Sequence, residues 1–409
     1  MSQNKKPKML IALARFPYPV TDGTRYKILF NVVNAAKADF DIEFLILSLK
    51  KIPKGDLVTF ENNHGKVNVF YIPPILFVFN AARKTFSTLP FQVNGFFSRT
   101  VSRWVNSNIQ KYDLVYIHTI RMTEYFSDPF LIERHKIIVD FNDALSLNYA
   151  KAQLTARFPF SLFYSLEAPR MRLYEKKILN TFPNLSVISE FDKDYLLWFL
   201  SAENEKKVDF RVMPYGMETK TVGEKTKLTR NIYFIGQLDY EMNRSAVEFL
   251  LEELWVPLNK LIPDIQVFII GKGGKSLRRK YKRLKGVVFT GFVEDQYDIL
   301  GQCSALVAPI LSGAGMSTKI IEAMASRIPV VTTPLGARGI SGLHQGNNIC
   351  IVSEEDKDAW VQVIQKLVTE QSVNDFISKN AFDLFKESYE LSHVQKMWLQ
   401  FFVEVARKE

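Results

Sequence analysis

Short apolar runs rich in β-branched residues alternate with longer segments of helical periodicity along this chain, and no other feature constrains its fold as strongly. The pattern is typical of parallel sheets covered by helices. In the first half the predicted strands are Met9–Leu13, Ile42–Leu47, Val67–Tyr71, Leu114–His118, Lys136–Phe141 and Leu185–Ser189. In the second half they are Ile232–Ile235, Gln266–Gly271, Val287–Thr290, Ala305–Pro309 and Pro329–Thr332. Because the series begins twice, we expect an α/β protein with two doubly wound domains.

A polar segment separates the two series. Residues Tyr215–Arg230, "YGMETKTVGEKTKLTR", lack a strand pattern and have the character of an interdomain linker. We therefore expect an N-terminal domain over residues 1–214 and a C-terminal domain over residues 215–389, with a final helix at about 390–409 that packs back on the first domain. Two such sheets would face each other across a cleft and offer it the carboxyl ends of their strands, where ligands bind.

Composition and charge narrow the possible partners. The net charge of +10 favours an anionic partner, which leaves open nucleic acid, a phosphorylated small molecule or an anionic membrane surface. The start of the chain is polar and basic, and the longest apolar run, Pro73–Ala82, is shorter than the roughly 20 residues of a membrane helix. We expect a cytoplasmic protein, with contact at the inner face of the cytoplasmic membrane left open. Cys303 and Cys350 have no metal or redox spacing, and we expect both to be reduced.

The segment "SGAGMSTKIIEAMAS" joins a predicted strand to a predicted helix. Unpaired backbone N–H groups and the positive end of the helix dipole suit a diphosphate at such a turn. Gly313 and Gly315 would let the backbone approach the ligand, and Lys319 adds a positive charge. Glu322 shares the helix face of Lys319 and is suited to accept hydrogen bonds from a ribose diol. A plain turn followed by a solvated Lys–Glu pair is the alternative.

Longer stretches around this turn carry a family resemblance. "FIGQLDYEMNR", "VVFTGFVED" and "ALVAPILSGAGMSTKIIEAMASRIPVVTTPLGARGI" resemble the donor-binding half of family-four retaining glycosyltransferases with the GT-B fold. "ARFPYPVTDGTRYKI", "IIVDFNDALSLNYA" and "VISEFDKDYL" are similar to a bacterial branch of that family. The resemblance covers nearly the whole chain. It implies two Rossmann-like domains, a nucleotide-sugar donor (a UDP- or GDP-sugar) bound mainly by the C-terminal domain, and a carbohydrate or lipid-linked acceptor bound mainly by the N-terminal domain. No cofactor is implied beyond the donor substrate, and no Asp-x-Asp metal motif follows a strand.

The resemblance also assigns residues of the donor site. It implies that Glu322 contacts the ribose and that Gly315, Met316 and Ser317 offer backbone N–H groups to the diphosphate. Gly271, in "IIGKGG", would help to shape the base pocket, although a plain turn is an equal alternative.

This sequence departs from the family pattern at two donor-site positions. Ala314 stands where relatives usually have a glutamate that contacts the sugar, and Gln237, after Gly236, stands where many have a diphosphate-binding arginine. Lys319 and Arg244 would then supply the positive charge that stabilises the departing diphosphate. The alternative for Arg244 is that it only caps or solvates the following helix.

In the N-terminal half, three features point towards the cleft. The Asp22–Gly23 turn follows the first strand, and the resemblance makes it the loop that faces the donor phosphates and the acceptor. His118 ends a strand at the carboxyl edge, and in several relatives a histidine of this region faces the transferred sugar; a structural histidine is the alternative. Asp140 and Asp143 also fall at a strand's carboxyl end, and one of them is a candidate weak base for an acceptor hydroxyl; for Asp143 the alternative is the N-cap of a helix near Ala144.

Two segments mix aromatic and basic residues without spanning length: "FVFNAARKTFSTLPFQVNGFFSRTVSRWV" and "LTARFPFSLFYSLEAPRMRLYEKKI". Such segments lie in a membrane interface, or else pack as helices on their own sheet.

The sequence thus predicts a retaining glycosyltransferase (hexosyl or related) of cell-surface polysaccharide or glycolipid synthesis. The alternatives are a nucleotide-sugar epimerase or hydrolase of the same fold, a catalytically silent nucleotide-sugar sensor, and a non-enzymatic polyanion-binding protein. Nucleic acid is not an expected partner, because aromatic stacking motifs of single-strand readers are not evident.

Overall fold

The chain forms two compact units in the computed structural model, which describes residues 6–83, 87–134, 136–200, 205, 207–220, 228–313 and 315–408. The first unit comprises Met1–Tyr215 together with Val394–Glu409, and the second comprises Gly216–His393. Each unit is built around one parallel sheet.

The N-terminal sheet has the strand order β3-β2-β1-β4-β5-β6-β7, with every neighbouring pair parallel. Its strands are β1 (Lys8–Leu13), β2 (Asp41–Ser48), β3 (Val67–Tyr71), β4 (Leu114–His118), β5 (Ile137–Asp140), β6 (Asn184–Val187) and β7 (Asp209–Val212). Strands β2 and β3 follow on one side of β1, and strands β4 to β7 follow on the other side. This is the arrangement of a doubly wound Rossmann sheet. The carboxyl ends of β1 and β4 therefore border the point where such sheets bind ligands.

Helices cover both faces of this sheet. They are α1 (Gly23–Tyr26), α2 (Asn34–Ala36), α3 (Lys54–His64), α4 (Pro74–Arg83), α5 (Phe91–Gly95), α6 (Arg99–Asn108), α7 (Pro129–Arg134), α8 (Leu145–Thr155), α9 (Phe160–Thr181) and α10 (Glu190–Leu197). A π-helical segment (Lys27–Val33) joins α1 to α2, and 3₁₀ turns occupy Ile109–Lys111 and Ile120–Tyr125.

The side chains of β1 alternate between two apolar cores. Leu10 and Ala12 belong to one core, and Met9, Ile11 and Leu13 belong to the other, because successive side chains of a strand point to opposite faces.

The C-terminal sheet repeats the same topology with the order β10-β9-β8-β11-β12-β13. Its strands are β8 (Asn231–Ile235), β9 (Gln266–Ile270), β10 (Val287–Gly291), β11 (Ala305–Ala308), β12 (Val330–Thr332) and β13 (Cys350–Ile351). Its helices are α11 (Glu241–Phe249), α12 (Trp255–Leu261), α13 (Lys275–Tyr281), α14 (Tyr297–Leu300), α15 (Thr318–Ala325), α16 (Pro334–Ala337), α17 (Lys357–Thr369) and α18 (Gln371–Ser388), with a π-helical segment at Leu250–Leu254. Trp255 and Trp360 are fully enclosed in its core.

The last helix, α19 (Leu391–Arg407), returns to the N-terminal unit. Its residues Trp398, Phe401 and Phe402 are fully buried in the core that includes Met9 and Ile11. The N-terminal unit is therefore formed by two segments of the chain, and the C-terminal unit lies between them in sequence.

The predicted strands are all present, with ends that differ by one or two residues. Two strands were missed, β7 and β13. β7, "DFRV", carries two charged residues at the sheet edge, and β13 has only the two residues Cys350 and Ile351 in its ladder, so neither has an apolar run. Cys303 and Cys350 are buried free thiols. Over the described parts of the chain, every helix is too short or too polar to cross a bilayer.

Candidate functional site

In the N-terminal unit, strand register brings three polar residues side by side at the carboxyl edge of the sheet. Leu13 of β1 pairs with His118 of β4, His118 pairs with Asp140 of β5, and Asp140 pairs with Ser186 of β6. All three polar side chains are buried. The predicted candidate His118 thus lies next to a carboxylate that belongs to the adjacent strand.

Asp140 accepts hydrogen bonds from several directions. Lys27 Nζ lies 2.8 Å from its Oδ2 and 3.0 Å from its Oδ1, and Tyr116 and Ser186 donate their hydroxyls at 2.6 and 3.1 Å. Burial opposes the charge of the carboxylate, but the ammonium of Lys27 and the hydrogen bond from His118 outweigh burial and hold the pKa of Asp140 well below its usual range. Asp140 is therefore an ionised, fully buried acceptor.

This carboxylate fixes the state of His118. The Nδ1 of His118 lies 2.9 Å from Asp140 Oδ2, and because Asp140 is ionised, Nδ1 carries the proton and donates. Burial lowers the pKa of His118 despite the opposing effect of Asp140, so the ring is neutral at neutral pH. Its Nε2 is buried and has no hydrogen-bond partner among the described residues. His118 therefore offers a free lone pair, suited to accept a hydrogen bond from a ligand hydroxyl.

His118 and Asp143 line the same cavity of about 260 Å³. Burial, followed by the charge of Asp192, raises the pKa of Asp143 to about 6, and Asn148 Nδ2 donates to its Oδ2 at 2.9 Å. The N-cap residue of α8 is Ala144, and no side chain caps that helix end. The capping alternative for Asp143 thus has no support in the structure, and its carboxylate lines a cavity with a pKa raised towards neutral pH.

The Asp22–Gly23 turn begins a helix. Asp22 caps α1 by accepting from the backbone N of Arg25 at 3.0 Å, and Gly23 is the first residue of that helix. The same carboxylate holds Arg15, whose Nη2 lies 2.9 Å from Asp22 Oδ2. Arg15 and Arg25 both line the cavity of His118, so the turn positions two guanidinium groups there.

In the C-terminal unit, two glycines bring the ends of β8 and β9 into close contact. A Cβ on Gly271, which has φ +140°, would lie 1.9 Å from the carbonyl oxygen of Gly236. A Cβ on Gly236 would lie 2.8 Å from the side chain of Asn243. Both positions thus need glycine for packing alone. Gln237 is exposed, and its carbonyl oxygen accepts from Asn243 Nδ2 at 2.9 Å.

Asn243 also positions Lys319. The Nζ of Lys319 donates to Asn243 Oδ1 at 2.9 Å and lies 4.3 Å from the ring centre of Phe234. Burial lowers the pKa of Lys319 to about 8, so the ammonium remains mostly protonated at neutral pH. No carboxylate of the described residues forms an ion pair with it, Glu322 included. Lys319 is therefore a half-buried cation that is available to an anionic ligand.

Glu322 is held by a separate pair of donors. Gln296 Nε2 and Tyr297 OH both donate to its Oε1, at 2.5 and 3.0 Å. Burial raises the pKa of Glu322, against the hydrogen bonds from Tyr297 and Gln296 and the charge of Lys220. Among the described side chains none donates to Oε2, so one oxygen of the carboxylate is left for a ligand.

The glycine-rich turn lies just before α15. Gly313 and Gly315 have φ +112° and +97°, and a Cβ on Gly313 would lie 2.3 Å from the sulfur of Met242. Ser317 is the N-cap residue of α15, and its side chain accepts no hydrogen bond from the N–H groups of the first turn. Met316 packs tightly against Gly339. Ala314 lies outside the described residues.

Arg244 lies on the first turn of α11. Its Nε is 3.9 Å from Glu241 Oε2, and it is half-buried. This is a loose contact and not a helix cap. Among the described residues, no group of three His, Cys, Asp or Glu side chains is placed to hold a metal ion.

Sequence reasoning missed Lys27, Asn243, Gln296 and Tyr297. Lys27 lies within the apolar run "KILFNVV", where nothing in the sequence separates a buried lysine from a surface one. The sequence did contain a signal for Asn243. It is a polar residue on the inward face of a helix that follows a strand ending in glycine, and such a residue can reach the edge of the sheet.

Comparison with known proteins agrees with this architecture. Residues 229–370 match the family model described as glycosyl transferases group 1. An uncharacterized 44.6 kDa protein in the cps region of Klebsiella pneumoniae is 22% identical over 404 residues, which cover 95% of this chain and 97% of that protein. The crystal structure of Anabaena HepE in complex with UDP superposes with a TM-score of 0.69 at 14% identity, over 97% of this chain and 100% of that one.

Two further solved structures share the fold. Sucrose-phosphate synthase from Thermosynechococcus elongatus gives a TM-score of 0.66 at 15% identity, over 97% of this chain and 99% of that one. WaaG, a glycosyltransferase involved in lipopolysaccharide biosynthesis, gives 0.61 at 14% identity, over 96% and 99%. The fold is GT-B. The predicted fold class, α/β with two Rossmann-like domains, is thereby confirmed, and the family match falls in the C-terminal unit that carries Lys319 and Glu322.

Proposed function

We propose that this chain is a retaining glycosyltransferase that moves a sugar from a nucleotide-sugar to a carbohydrate or lipid-linked acceptor, in cell-surface polysaccharide or glycolipid synthesis. The observation that carries the proposal is the half-buried Lys319, a cation without a carboxylate partner among the described residues, in the first turn of a helix that follows a glycine-rich turn. This chemistry suits a diphosphate. The segment lies within the stretch that matches the glycosyltransferase family model.

The donor chemistry follows from the same residues. Lys319, the N–H groups of the first turn of α15 and Arg244 stabilise the negative charge that develops on the departing diphosphate. Glu322 accepts hydrogen bonds from the ribose through Oε2, while Gln296 and Tyr297 hold Oε1. A uridine nucleotide is the first choice for the base, since the HepE structures of the same fold contain UDP and UDP-glucose.

In the N-terminal unit, His118 accepts a hydrogen bond from a sugar hydroxyl through Nε2, and Asp143 takes the proton of the acceptor hydroxyl. Retention requires that the acceptor attack on the face from which the diphosphate leaves. No metal or cofactor is assigned to this step, because the lysine and backbone N–H groups supply the charge that the leaving group needs.

We also place the protein at a membrane surface as a peripheral protein. Helix α4 exposes Ile75, Val78 and Phe79, and α9 exposes Phe160 and Leu162, in segments that also carry arginines. Exposed apolar side chains flanked by cations suit an anionic lipid interface. Sedimentation with liposomes tests this contact.

The donor proposal is tested by thermal-shift measurements with UDP-glucose and a panel of other nucleotide-sugars, on the unaltered protein, on Glu322→Ala and on Glu354→Ala. Glu354 is an exposed carboxylate of the same unit and serves as the charge-matched control. A ligand at about 100 times its Kd stabilises the folded state by about 2.7 kcal/mol. We expect this stabilisation in the unaltered protein and in Glu354→Ala, and its loss in Glu322→Ala.

If no nucleotide-sugar stabilises the unaltered protein, the donor proposal is wrong and polyanion binding becomes the better interpretation of the net charge. Rapid release of nucleotide in the absence of any acceptor would instead favour a hydrolase or epimerase.

A further inference from the structure

The N-terminal unit contains a second, larger cavity beside that of His118. It has a volume of about 540 Å³ and shares five lining residues with the smaller cavity, namely Ala14, Arg15, Phe16, Arg25 and Arg121. The two cavities are therefore adjacent, and three guanidinium groups lie on their shared border. Nothing in the donor chemistry described above uses the larger cavity.

Most of the charged side chains that line this cavity are cations. The lining cations are Arg15, Arg25, Lys50, Lys51 and Arg121, and the only lining carboxylate is that of Asp56. Arg15 and Arg25 are partly neutralised by Asp22. Lys50 and Lys51 form no ion pair among the described residues, and Arg121 donates its Nε to the neutral Gln92 at 2.6 Å. Several cations thus surround an open volume with few counter-charges, which suits an anionic ligand.

The remaining wall is apolar and aromatic. Phe16, Tyr18, Leu49, Phe77 and Phe96 line it, and the rings of Phe77 and Phe96 meet edge to face at 5.1 Å. Phe77 belongs to α4, the helix that exposes Ile75 and Phe79 on its outer side, 82% and 59% accessible. The apolar wall of the cavity therefore continues into the exposed apolar surface of the unit. Cations and hydrocarbon thus make up most of this lining.

We propose that the larger cavity binds an amphipathic anion, a phosphate or diphosphate joined to an alkyl or prenyl chain, and that this lipid-linked phosphate is the acceptor. Its role as acceptor rests on the proposed glycosyltransferase function, but its binding does not. The phosphate lies among Lys50, Lys51 and Arg121, and the first carbons of the chain lie against Phe77 and Phe96. A sugar carried on that phosphate offers the acceptor hydroxyl, and the shared border with the His118 cavity places it beside Asp143. Asp143 takes the proton of this hydroxyl while its oxygen bonds to the transferred sugar and the bond from that sugar to the nucleotide diphosphate breaks.

Calorimetry with three small ligands tests this assignment, each below its micelle concentration: decyl phosphate, inorganic phosphate and decyl glucoside. We expect decyl phosphate to bind at least about tenfold more tightly than either of the others, because only it carries both recognised parts. The double variant Lys50→Gln, Lys51→Gln should weaken decyl phosphate binding by about tenfold or more, since it removes two charge-assisted contacts. Lys54→Gln, Lys176→Gln removes the same charge from exposed positions of the same unit and should leave binding unchanged.

Inorganic phosphate that binds as tightly as decyl phosphate would overturn the lipid-linked assignment, and so would decyl glucoside that matches decyl phosphate. Equal binding by the two double variants would show that only net charge matters and would also overturn it. The donor experiment is independent of these results. Loss of nucleotide-sugar binding with retained decyl phosphate binding would refute the glycosyltransferase proposal alone, and the reverse result would refute the cavity assignment alone.

Discussion

Asp140, the last residue of β5, and Asp143, three residues later, are two carboxylates whose pKa values shift in opposite directions. Asp140 is surrounded by Lys27, Tyr116, His118 and Ser186, and its pKa is held far below the usual range. Asp143 is half-buried, and its burial, followed by the charge of Asp192, raises its pKa to about 6. Neighbouring carboxyl groups with separated pKa values are typical of sites that divide structural and proton-transfer roles. Here Asp140 orients His118, and Asp143 is the group that can exchange a proton near neutral pH.

This difference gives a prediction for pH dependence. A base must be ionised, and Asp143 becomes protonated as the pH falls through about 6, so the rate of nucleotide release from the donor should fall on the acid side of that value. In Asp143→Asn the rate should be low, with no acid limb at this pH. The measurement is acceptor-dependent nucleotide release from UDP-glucose between pH 5 and 8.

Asp128→Asn, at an exposed position of the same unit, is the control and should keep both the rate and the acid limb. If the rate of Asp143→Asn still falls at the same pH, the titrating group is another residue. His118 is then the next candidate, because protonation of Nε2 removes its lone pair.

At the level of single residues, the sequence identified groups by type and place but not by partner. His118 and Asp143 were found because each follows a parallel strand at its carboxyl end. The buried pair of Lys27 and Asp140 was not found, since the two residues lie far apart in the chain and only the fold brings β5 beside the π-helical segment that begins at Lys27. Likewise, no local pattern indicates that Lys319 binds Asn243 while Glu322 binds Tyr297.

Among the elements, α4 has apolar side chains both at a cavity and at the surface. Phe77 faces the larger cavity, while Ile75 and Phe79 are exposed. An exposed apolar helix face has an energetic cost in water that contact with lipid would relieve, at about 25 cal/mol per Å² of apolar surface removed from water. The segment recognised in the sequence thus contains a short helix that packs through Phe77 in the N-terminal unit, and its contact with a membrane stays a prediction.

The double variant Ile75→Ser, Phe79→Ser should therefore lose membrane affinity without loss of folding. We expect its partition onto liposomes of anionic lipid to fall at least about tenfold, because two large side chains no longer enter the interface. Val58→Ser, Val256→Ser replaces two exposed valines, on α3 and α12, and should partition as the unaltered protein does. Sedimentation with liposomes measures both, and unchanged binding by the α4 variant would contradict the membrane proposal.

Strands were predicted well because a parallel strand buried on both faces is a continuous apolar run, as in "MLIAL" and "LVYIH". Strands β7 and β13 were not predicted, because an edge strand or a two-residue ladder needs no such apolar run. The glycine-rich turn was located from Gly313 and Gly315, but its packing against Met242 depends on a helix more than sixty residues earlier in the chain and could not be inferred locally.

At the scale of the whole molecule, the chain crosses between its two units twice. α18 belongs to the C-terminal unit, and α19, which follows it almost directly, supplies Trp398, Phe401 and Phe402 to the core of the N-terminal unit. Trp398 packs against Tyr116 of β4 with ring centres 5.6 Å apart, and Tyr116 in turn donates to Asp140. The last helix of the chain is thus connected, by direct contacts, to the residues that hold His118.

Trp398→Ala should for this reason destabilise the N-terminal unit and leave the C-terminal unit intact. Loss of a fully buried aromatic side chain costs about 3–5 kcal/mol of unfolding free energy, whereas Lys396→Ala, on the exposed side of the same helix, should change it by less than about 0.5 kcal/mol. Hydrogen exchange resolves where the loss occurs: amides of β1 and β4 should exchange faster in Trp398→Ala, and those of β8 and β11 should keep their protection. Faster exchange in β8 and β11 alone would mean that α19 stabilises the unit that precedes it in sequence, and would contradict its assignment to the N-terminal core.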